Sequence, residues 1–242
     1  MAVFFSKEVL SLVTLVVLAI LHSSFDVTSL SVNEEADALL NWKATLQNET
    51  QPPLPSWTLP NYATNSSNNQ NTSSIPCSWF GISCNQAVSV IRLNLSKSNT
   101  ALKGTLHGFS FSSLPNLAFL DFSMNGLFGT VPFEISNLSK LRHLDLSSNK
   151  LSGEIPPQIG LLINLEVLNL DNNQLNGSIP PEIDQLKSLN NLFLYANHLH
   201  GCIPASLGNL SNLVYLILNN NFLSCSIPAS LGKLRNLVHL YL

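Results

Sequence analysis

The four cysteines are the side chains of this 242-residue chain whose spacing most directly suggests covalent chemistry. Cys77 and Cys84 enclose six residues, whereas Cys202 and Cys225 lie in the second half of the chain. A C-x6-C spacing is not a common zinc motif, and no cluster of histidines accompanies it, so metal ligation is disfavoured. We predict a Cys77–Cys84 disulfide and no metal site, with redox chemistry at this pair as the weaker alternative.

The sequence also lacks the residue patterns that are typical of catalytic sites. No nucleophile, histidine and acid fall on a common face, and no glycine-rich phosphate loop follows a strand. Charged residues make up 10% of the chain and the formal net charge is −3, so the basic stripe typical of nucleic-acid binding is absent. We therefore predict no catalytic residue, no cofactor and no nucleic-acid partner.

Residues 1–30 have the pattern of a secretory signal. Lys7 precedes an apolar run from Val9 to Leu21, and small polar residues follow it. An uncleaved membrane anchor is the alternative, but this run falls well short of the about 20 residues that a membrane span needs. We predict entry into the secretory pathway, a place outside the cell or on the outer face of the plasma membrane, and no membrane span in this chain.

Secretion turns each Asn-x-Ser/Thr triplet into a signal for glycan attachment. The seven predicted glycosylation sites are Asn48, Asn65, Asn71, Asn94, Asn137, Asn176 and Asn209.

A 24-residue repeat organises residues 88–242. Leucines and asparagines recur in the unit L-x-x-L-x-x-L-x-L-x-x-N-x-L-x-G-x-I-P, as in residues 138–156. The asparagine column consists of Asn125, Asn149, Asn173, Asn197 and Asn221. It has the regularity of a binding array, but an unpaired buried polar group costs about 1–3 kcal/mol, so asparagines beside buried leucines are better explained as partners for backbone groups. We predict a structural asparagine ladder.

The period also predicts the fold class, an α/β solenoid. The core L-x-L, as in Leu144-Asp145-Leu146, alternates apolar and polar residues and predicts a short strand with its leucines inward. One such strand cannot bury its own face, so successive units stack into a parallel sheet on the concave face. The prolines that close each unit indicate loops on the opposite side.

Residues 31–87 lack the period and predict a cap over the open end of the solenoid. The stretch from Glu34 to Trp42 suits a helix with acids in its first turn. This helix, the tryptophans and the Cys77–Cys84 disulfide are suitable materials for covering apolar core. The remainder, residues 88–242, holds about six complete repeats and the start of a seventh.

The outward positions beside each L-x-L core form the concave face, which is the natural binding surface of a solenoid. They change along the chain from acidic and small residues, such as Asp121 and Asp145, to aromatic and apolar ones. Exposed aromatic surface marks interaction sites, although strands favour aromatic residues in any case, and both explanations stay open. The candidate ligand-binding residues are Phe193, Tyr195, Tyr215, Ile217, His239 and Tyr241.

Cys202 and Cys225 fall on neighbouring turns, one position out of phase with each other. Their Cα atoms can approach as a disulfide requires, but side chains at adjacent positions point in different directions. A bridge and two free thiols are therefore both open.

Several of these motifs resemble a known family. Residues 35–43 read E-A-D-A-L-L-N-W-K, Ser56-Trp57 follows, and residues 77–84 read C-S-W-F-G-I-S-C. With the L-x-G-x-I-P endings, they resemble the N-terminal cap and plant-specific repeats of leucine-rich-repeat receptor-like kinases and receptor-like proteins. The cap and the S-I-P-P-E-I of residues 178–183 are most similar to the MDIS1-interacting receptor-like kinase branch. The resemblance implies a concave face that binds a peptide or protein ligand, together with a co-receptor leucine-rich-repeat kinase.

The sequence also departs from that family. Its members continue with further repeats, a C-terminal cap, a membrane helix and a kinase, whereas this sequence stops inside an L-x-L core. We therefore expect a truncated ectodomain, without kinase activity in this chain. The alternatives are a free secreted recognition protein similar to polygalacturonase inhibitors, and a non-functional receptor fragment.

Overall fold

The structure is a computed structural model that describes residues 34–47, 53–59, 75–96 and 101–242. The predicted secretory signal and the predicted glycosylation sites Asn48, Asn65 and Asn71 lie outside the described residues. None of the helices in these ranges is long and apolar enough to cross a membrane.

The concave sheet has eight strands. In spatial order they are β1 (Ile82–Cys84), β2 (Val90–Asn94), β4 (Phe119–Asp121), β6 (His143–Asp145), β8 (Val167–Asn169), β10 (Asn191–Phe193), β12 (Tyr215–Ile217) and β14 (His239–Tyr241). From β2 onwards all neighbours are parallel, while β1 pairs with β2 antiparallel. The predicted solenoid with a parallel concave sheet is thereby confirmed.

A second set of short parallel strands follows each asparagine of the ladder. One sheet contains β3 (Lys103–Gly104), β5 (Gly126–Thr130), β7 (Lys150–Glu154) and β9 (Gln174–Asn176), and a separate pair contains β11 (His200–Cys202) and β13 (Phe222–Ser224). The sequence analysis did not predict these strands, because it placed loops at the prolines and assigned no strand between each asparagine and the proline that follows it. The strands end before the proline, which could not donate to the ladder.

The convex side is built from short 3-10 helices. They span Phe111–Ser113, Phe133–Asn137, Pro157–Leu161, Pro181–Gln185, Ala205–Asn209 and Ala229–Lys233. From the second helix onwards, the proline that ends the repeat motif is the N-cap, because its fixed φ suits entry into a helical turn.

One continuous core fills the space between these layers. The repeated leucines, such as Leu144, Leu168 and Leu192, are fully buried. Three columns of them recur every 24 residues, so each turn packs on the next in the same way. Burial of this kind stabilises by about 25 cal/mol per Å² of apolar surface, which makes stacking of turns the main source of stability.

The asparagine ladder runs through this core. Asn173 Nδ2 donates to the carbonyl oxygens of Leu146 and Leu170 at 3.0 and 3.1 Å, and its Oδ1 accepts the Leu151 N–H at 3.0 Å. The same contacts recur with Asn149, Asn197 and Asn221. Each asparagine therefore ties its own turn to the preceding one.

The cap closes the N-terminal end of the core. Helix α1, residues 34–45, buries Trp42, whose ring stacks on Phe122 of the second repeat with centroids 5.0 Å apart. Buried Glu35 accepts the Ser89 hydroxyl at 2.6 Å and the Val90 N–H at 2.9 Å, so hydrogen bonds also tie the helix to the start of β2. Burial raises the pKa of the Glu35 carboxyl.

Candidate ligand-binding face

The outward side chains of the concave sheet form columns that cross the strands. The strand register aligns Asp121 with Asp145, Asn169, Phe193, Ile217 and Tyr241, and aligns Phe119 with His143, Val167, Asn191, Tyr215 and His239. Adjacent members of a column lie one strand spacing apart, about 4.8 Å. Along the first column the outward residues change from polar on β4 to β8 to apolar on β10 to β14, and these two parts of the face are called the polar half and the aromatic half.

In the polar half, side-chain oxygens cap the end of each strand. Asp121 Oδ1 accepts the N–H of Ser123 at 3.0 Å, and Asp145 Oδ1 accepts that of Ser147 at 2.9 Å. Asn169 Oδ1 accepts the N–H of Asp171 at 3.1 Å. An amide and a carboxylate therefore serve equally well in this turn.

Asp171 lies at the border between the two halves. Its Oδ1 accepts the Tyr195 N–H at 2.5 Å, and burial together with the nearby charge of Asp145 raises its pKa to about 6. Asp145 is also hydrogen-bonded, since Asn169 Nδ2 donates to its Oδ2 at 2.9 Å. The border thus carries a carboxyl group that titrates close to neutral pH.

The aromatic half brings the six candidate residues together. Phe193, Tyr195, Tyr215, Ile217 and His239 are half-buried, and Tyr241 is 54% exposed. The rings of Phe193 and Tyr215 lie 6.1 Å apart, and Tyr215 stacks on His239 with centroids 4.6 Å apart. Ring contacts thus join Phe193, Tyr215 and His239 across β10, β12 and β14, and Ile217 lies between Phe193 and Tyr241 in the register.

A second stacked group lies at the other end of the face. The Arg92 guanidinium lies 3.5 Å from the centroid of the Phe119 ring, which stacks on His143 at 4.1 Å. Burial lowers the pKa of His143. The sequence analysis did not single out Arg92, although its place one column position before Phe119 in the strand register identifies it.

Both cysteine pairs form disulfides in the structure. Cys77 joins Cys84 within the cap, with Cα atoms 5.5 Å apart, and Cys202 joins Cys225 between neighbouring turns, at 5.3 Å. Cys225 replaces the glycine of the preceding repeats and has a φ of 68°, close to the 79° of Gly201. This left-handed backbone turns the Cys225 side chain toward Cys202, which the sequence pattern alone could not show.

The four described glycosylation candidates lie on different surfaces. Asn137 and Asn209 end 3-10 helices on the convex side, and Asn176 ends β9. Asn94 is instead an outward residue of the concave sheet, next to Asp121 in the register. Its Oδ1 accepts the N–H and the hydroxyl of Ser96, so its side chain is part of a strand-end turn like those of the polar half.

A metal site is not among the features of the described ranges. There, no group of three or more His, Cys, Asp or Glu residues could hold a metal ion. Within the same ranges, none of the three aspartates on the concave face forms a salt bridge. The chemistry that this face offers is binding through rings, apolar groups and uncompensated carboxylates.

Comparison with known proteins identifies the class of protein. Residues 32–85 match the model described as leucine rich repeat N-terminal domain, and residues 96–242 match the leucine-rich repeat region. The chain therefore belongs to the leucine-rich-repeat family, and the resemblance drawn from the cap and repeat motifs is confirmed. Neither model describes a kinase domain.

Three proteins of Arabidopsis thaliana illustrate the likeness. MDIS1-interacting receptor like kinase 2 is 47% identical over 120 residues, 49% of this chain and 10% of that protein. The ectodomain of the receptor kinase HAESA, solved with an IDA peptide hormone ligand, is 33% identical with a TM-score of 0.74, over 88% of this chain and 33% of that one. A chain of the BIR3–SERK2 complex is 33% identical with a TM-score of 0.63, over 79% of this chain and 95% of that one. This chain thus spans about a tenth of the curated relative.

Proposed function

We propose that this chain is a ligand-recognition module of a plant cell-surface receptor and that it binds a peptide or protein ligand through its concave face. The observation that carries the proposal is the group of outward apolar side chains on neighbouring strands, in which the rings of Phe193 and Tyr215 lie 6.1 Å apart and Ile217 pairs with Phe193 in the register. Aromatic side chains dominate binding hot spots, because they bury a large area at a small cost in conformational entropy.

The relatives support this assignment. The HAESA ectodomain was solved with a peptide hormone, and BIR3 was solved with SERK2. By analogy, a leucine-rich-repeat kinase is the proposed co-receptor. The proposal includes passage through the secretory pathway, directed by residues 1–30, glycosylation at exposed sequons, and a final location outside the cell or on the outer face of the plasma membrane.

Selection from a display library of random 12-residue peptides against the whole immobilised chain tests this function. The affinity of enriched peptides is then measured for Tyr195→Ala and Tyr215→Ala, with Phe133→Ala as the matched control. Phe133 is 56% exposed on the convex side, so its substitution shows the effect of truncating an exposed ring that lies outside the concave face. The two concave substitutions are expected to weaken binding about tenfold or more, as truncation of a hot-spot residue does.

Phe133→Ala should leave the affinity unchanged, and all three variants should keep the circular dichroism spectrum and melting temperature of the parent chain. A library that yields no binding peptides, or peptides that bind both concave variants as well as the parent, contradicts the proposed function.

A further inference from the structure

The concave face offers two kinds of chemistry at a fixed separation. Asp121 and Asp145 occupy one register column on β4 and β6, and Asp171 lies beside that column. Phe193 and Ile217 continue the column on β10 and β12, with Tyr215 against Phe193. A ligand that crosses the strands along this column therefore meets carboxylates first and apolar groups next.

The negative charge of the polar half exceeds what the fold requires. Asn169 makes the same strand-end turn as Asp121 and Asp145, and so does Asn94 in the first repeat. The turn needs an acceptor oxygen and does not need a carboxylate. The charge at these positions is thus a property of the surface, separate from the stability of the strand ends.

Within the part of the chain that the structure describes, the arginines near this face do not pair with its aspartates. Arg92 lies over the Phe119 ring, and Arg142, at the loop before β6, pairs with Glu166 at 2.9 Å. The pKa of Asp171 is raised by burial and by the charge of Asp145, which agrees with a face where repulsion between carboxylates exceeds attraction to cations. A cationic group brought to this half is therefore complementary to it.

The geometry also sets the spacing that a ligand must have. Asp145 and Ile217 stand in one column three strands apart, and at about 4.8 Å per strand this is about 14 Å. An extended peptide advances about 3.3 Å per residue, so about four to five residues bridge the two groups.

We propose that the ligand segment is an extended peptide with a Lys or Arg side chain over Asp121, Asp145 and Asp171, and an apolar or aromatic side chain four to five residues away on Phe193, Tyr215 and Ile217. The inference rests on the proposed function and specifies the chemistry of the ligand at that same face. An acidic peptide and a purely apolar one are the competing occupants, and the test below separates them.

Three synthetic 12-residue peptides serve as probes in biolayer interferometry with the whole chain. The first carries two lysines and a Phe-Leu pair separated by a Ser-Gly spacer that sets an offset of four to five residues. The second has the same composition with the lysines directly beside Phe-Leu, and the third has glutamates in place of the lysines. The first peptide is expected to bind about tenfold more tightly than the second and more tightly still than the third, since only the first reaches both halves of the face.

Removal of the carboxylates supplies the second arm. The double variant Asp145→Asn/Asp171→Asn keeps one acceptor oxygen for each of the Ser147 and Tyr195 N–H groups. It should weaken the first peptide about five- to tenfold, the range expected for two partly exposed ion pairs. It should also remove most of the loss of affinity that the parent chain shows between 50 and 500 mM NaCl, because salt screens exposed charges. The matched control is Glu134→Gln/Glu154→Gln, which removes equal charge at exposed positions on the convex side and on the second sheet.

Equal binding of the lysine and glutamate peptides, or equal loss in the control variant, overturns the inference. If none of the three peptides binds while library peptides still depend on Tyr195 and Tyr215, the ligand chemistry is wrong and the proposed function stands. If library peptides are indifferent to those tyrosines as well, the proposed function itself fails.

Discussion

The two halves of the concave sheet share the same backbone repeat, but their outward side chains differ in whether they form hydrogen bonds with the backbone at the strand ends. In the polar half, Asp121, Asp145 and Asn169 each cap the end of their own strand. In the aromatic half, Phe193 and Ile217 occupy the same column and have no acceptor atom to offer. Substitutions in the polar half can therefore change stability and binding together, whereas those in the aromatic half act mainly on the surface. This difference decides which variants can test function cleanly.

The asparagine ladder should respond most strongly, and more so in the polar half. Asn173 is 8% exposed, whereas Asn221 is only half-buried. Asn173→Ala leaves the buried Leu151 N–H without its acceptor and removes one of the two amide donors at each of the Leu146 and Leu170 carbonyl oxygens. At about 1–3 kcal/mol for the N–H and about 1 kcal/mol for each lost bond, the free energy of unfolding should fall by about 3–5 kcal/mol. Asn221→Ala should cost less, because water can replace its amide. Guanidinium unfolding of both variants measures the difference, and an equal or larger loss at Asn221 would break the comparison.

The disulfide between Cys202 and Cys225 should stabilise the aromatic half alone. Its closure of a loop of about 24 residues corresponds to about 3 kcal/mol, which Cys202→Ser/Cys225→Ser should remove. Cys202→Ser/Cys225→Gly should recover about 1 kcal/mol, because glycine adopts the positive φ of position 225 without a steric cost. Hydrogen exchange should then speed up in residues 199–242 and stay unchanged in residues 119–170. Equal acceleration in both segments would show that the bridge acts on the whole solenoid.

Two substitutions that remove the same charge separate the role of Asp145 in the strand-end turn from its role in the surface charge of the polar half. Asp145→Ala removes the acceptor for the Ser147 N–H and should destabilise the protein by about 1 kcal/mol. Asp145→Asn keeps that acceptor, as Asn169 does naturally, and loses only the partly exposed bond from Asn169 Nδ2, so it should lower the melting temperature clearly less than Asp145→Ala. If both substitutions destabilise equally, the carboxylate charge is needed by the fold, and its assignment to binding loses its basis.

The pH dependence of stability at the border between the halves gives the smallest expected effect. Folding raises the pKa of Asp171 from 3.8 to about 6. The contribution of its protonated carboxyl to the free energy of unfolding is therefore fully present below pH 3.8 and is lost as the pH rises through about 6. Asp171→Asn should therefore be more stable than the parent at pH 7.5, by about 1 kcal/mol or less after solvent screening, and should match it at pH 4. Thermal unfolding across this range checks the sign. A variant less stable than the parent at pH 7.5 would mean that the charged carboxylate stabilises the fold.

Much of the scaffold was predictable, because a 24-residue period fixes which side chains face inward. The buried leucines, the concave strands and the positions of the ladder follow from that period alone. The second sheet did not follow, because its strands are only two to five residues long and include glycines with positive φ, which typically indicate a turn. The Cys202–Cys225 bridge stayed open for the same local reason, since it depends on the backbone angle at Cys225.

The candidate face was predictable in position but only partly in chemistry. Tyr215 and Ile217 could be placed by counting from the leucines, whereas the stack of Arg92, Phe119 and His143 required the register between β2 and β4, where the spacing departs from 24. An outer set of hydrogen bonds was also missed. Asn164, Asn212 and Asn236 each donate to a carbonyl oxygen 25 residues earlier. Their spacings of 48 and 24 residues are whole multiples of the repeat and could have revealed them.

Photocrosslinking tests the central claim most directly, namely that the ligand binds on the concave face with its apolar group on the aromatic half. The lysine-containing probe peptide with the four- to five-residue offset would carry p-benzoylphenylalanine in place of its phenylalanine, and the crosslinked residues would be located by mass spectrometry on the whole chain. We predict crosslinks within residues 191–195 and 215–219, and their loss when the same peptide without the label is added in excess. Competed crosslinks confined to the convex helices or to the second sheet would contradict the account.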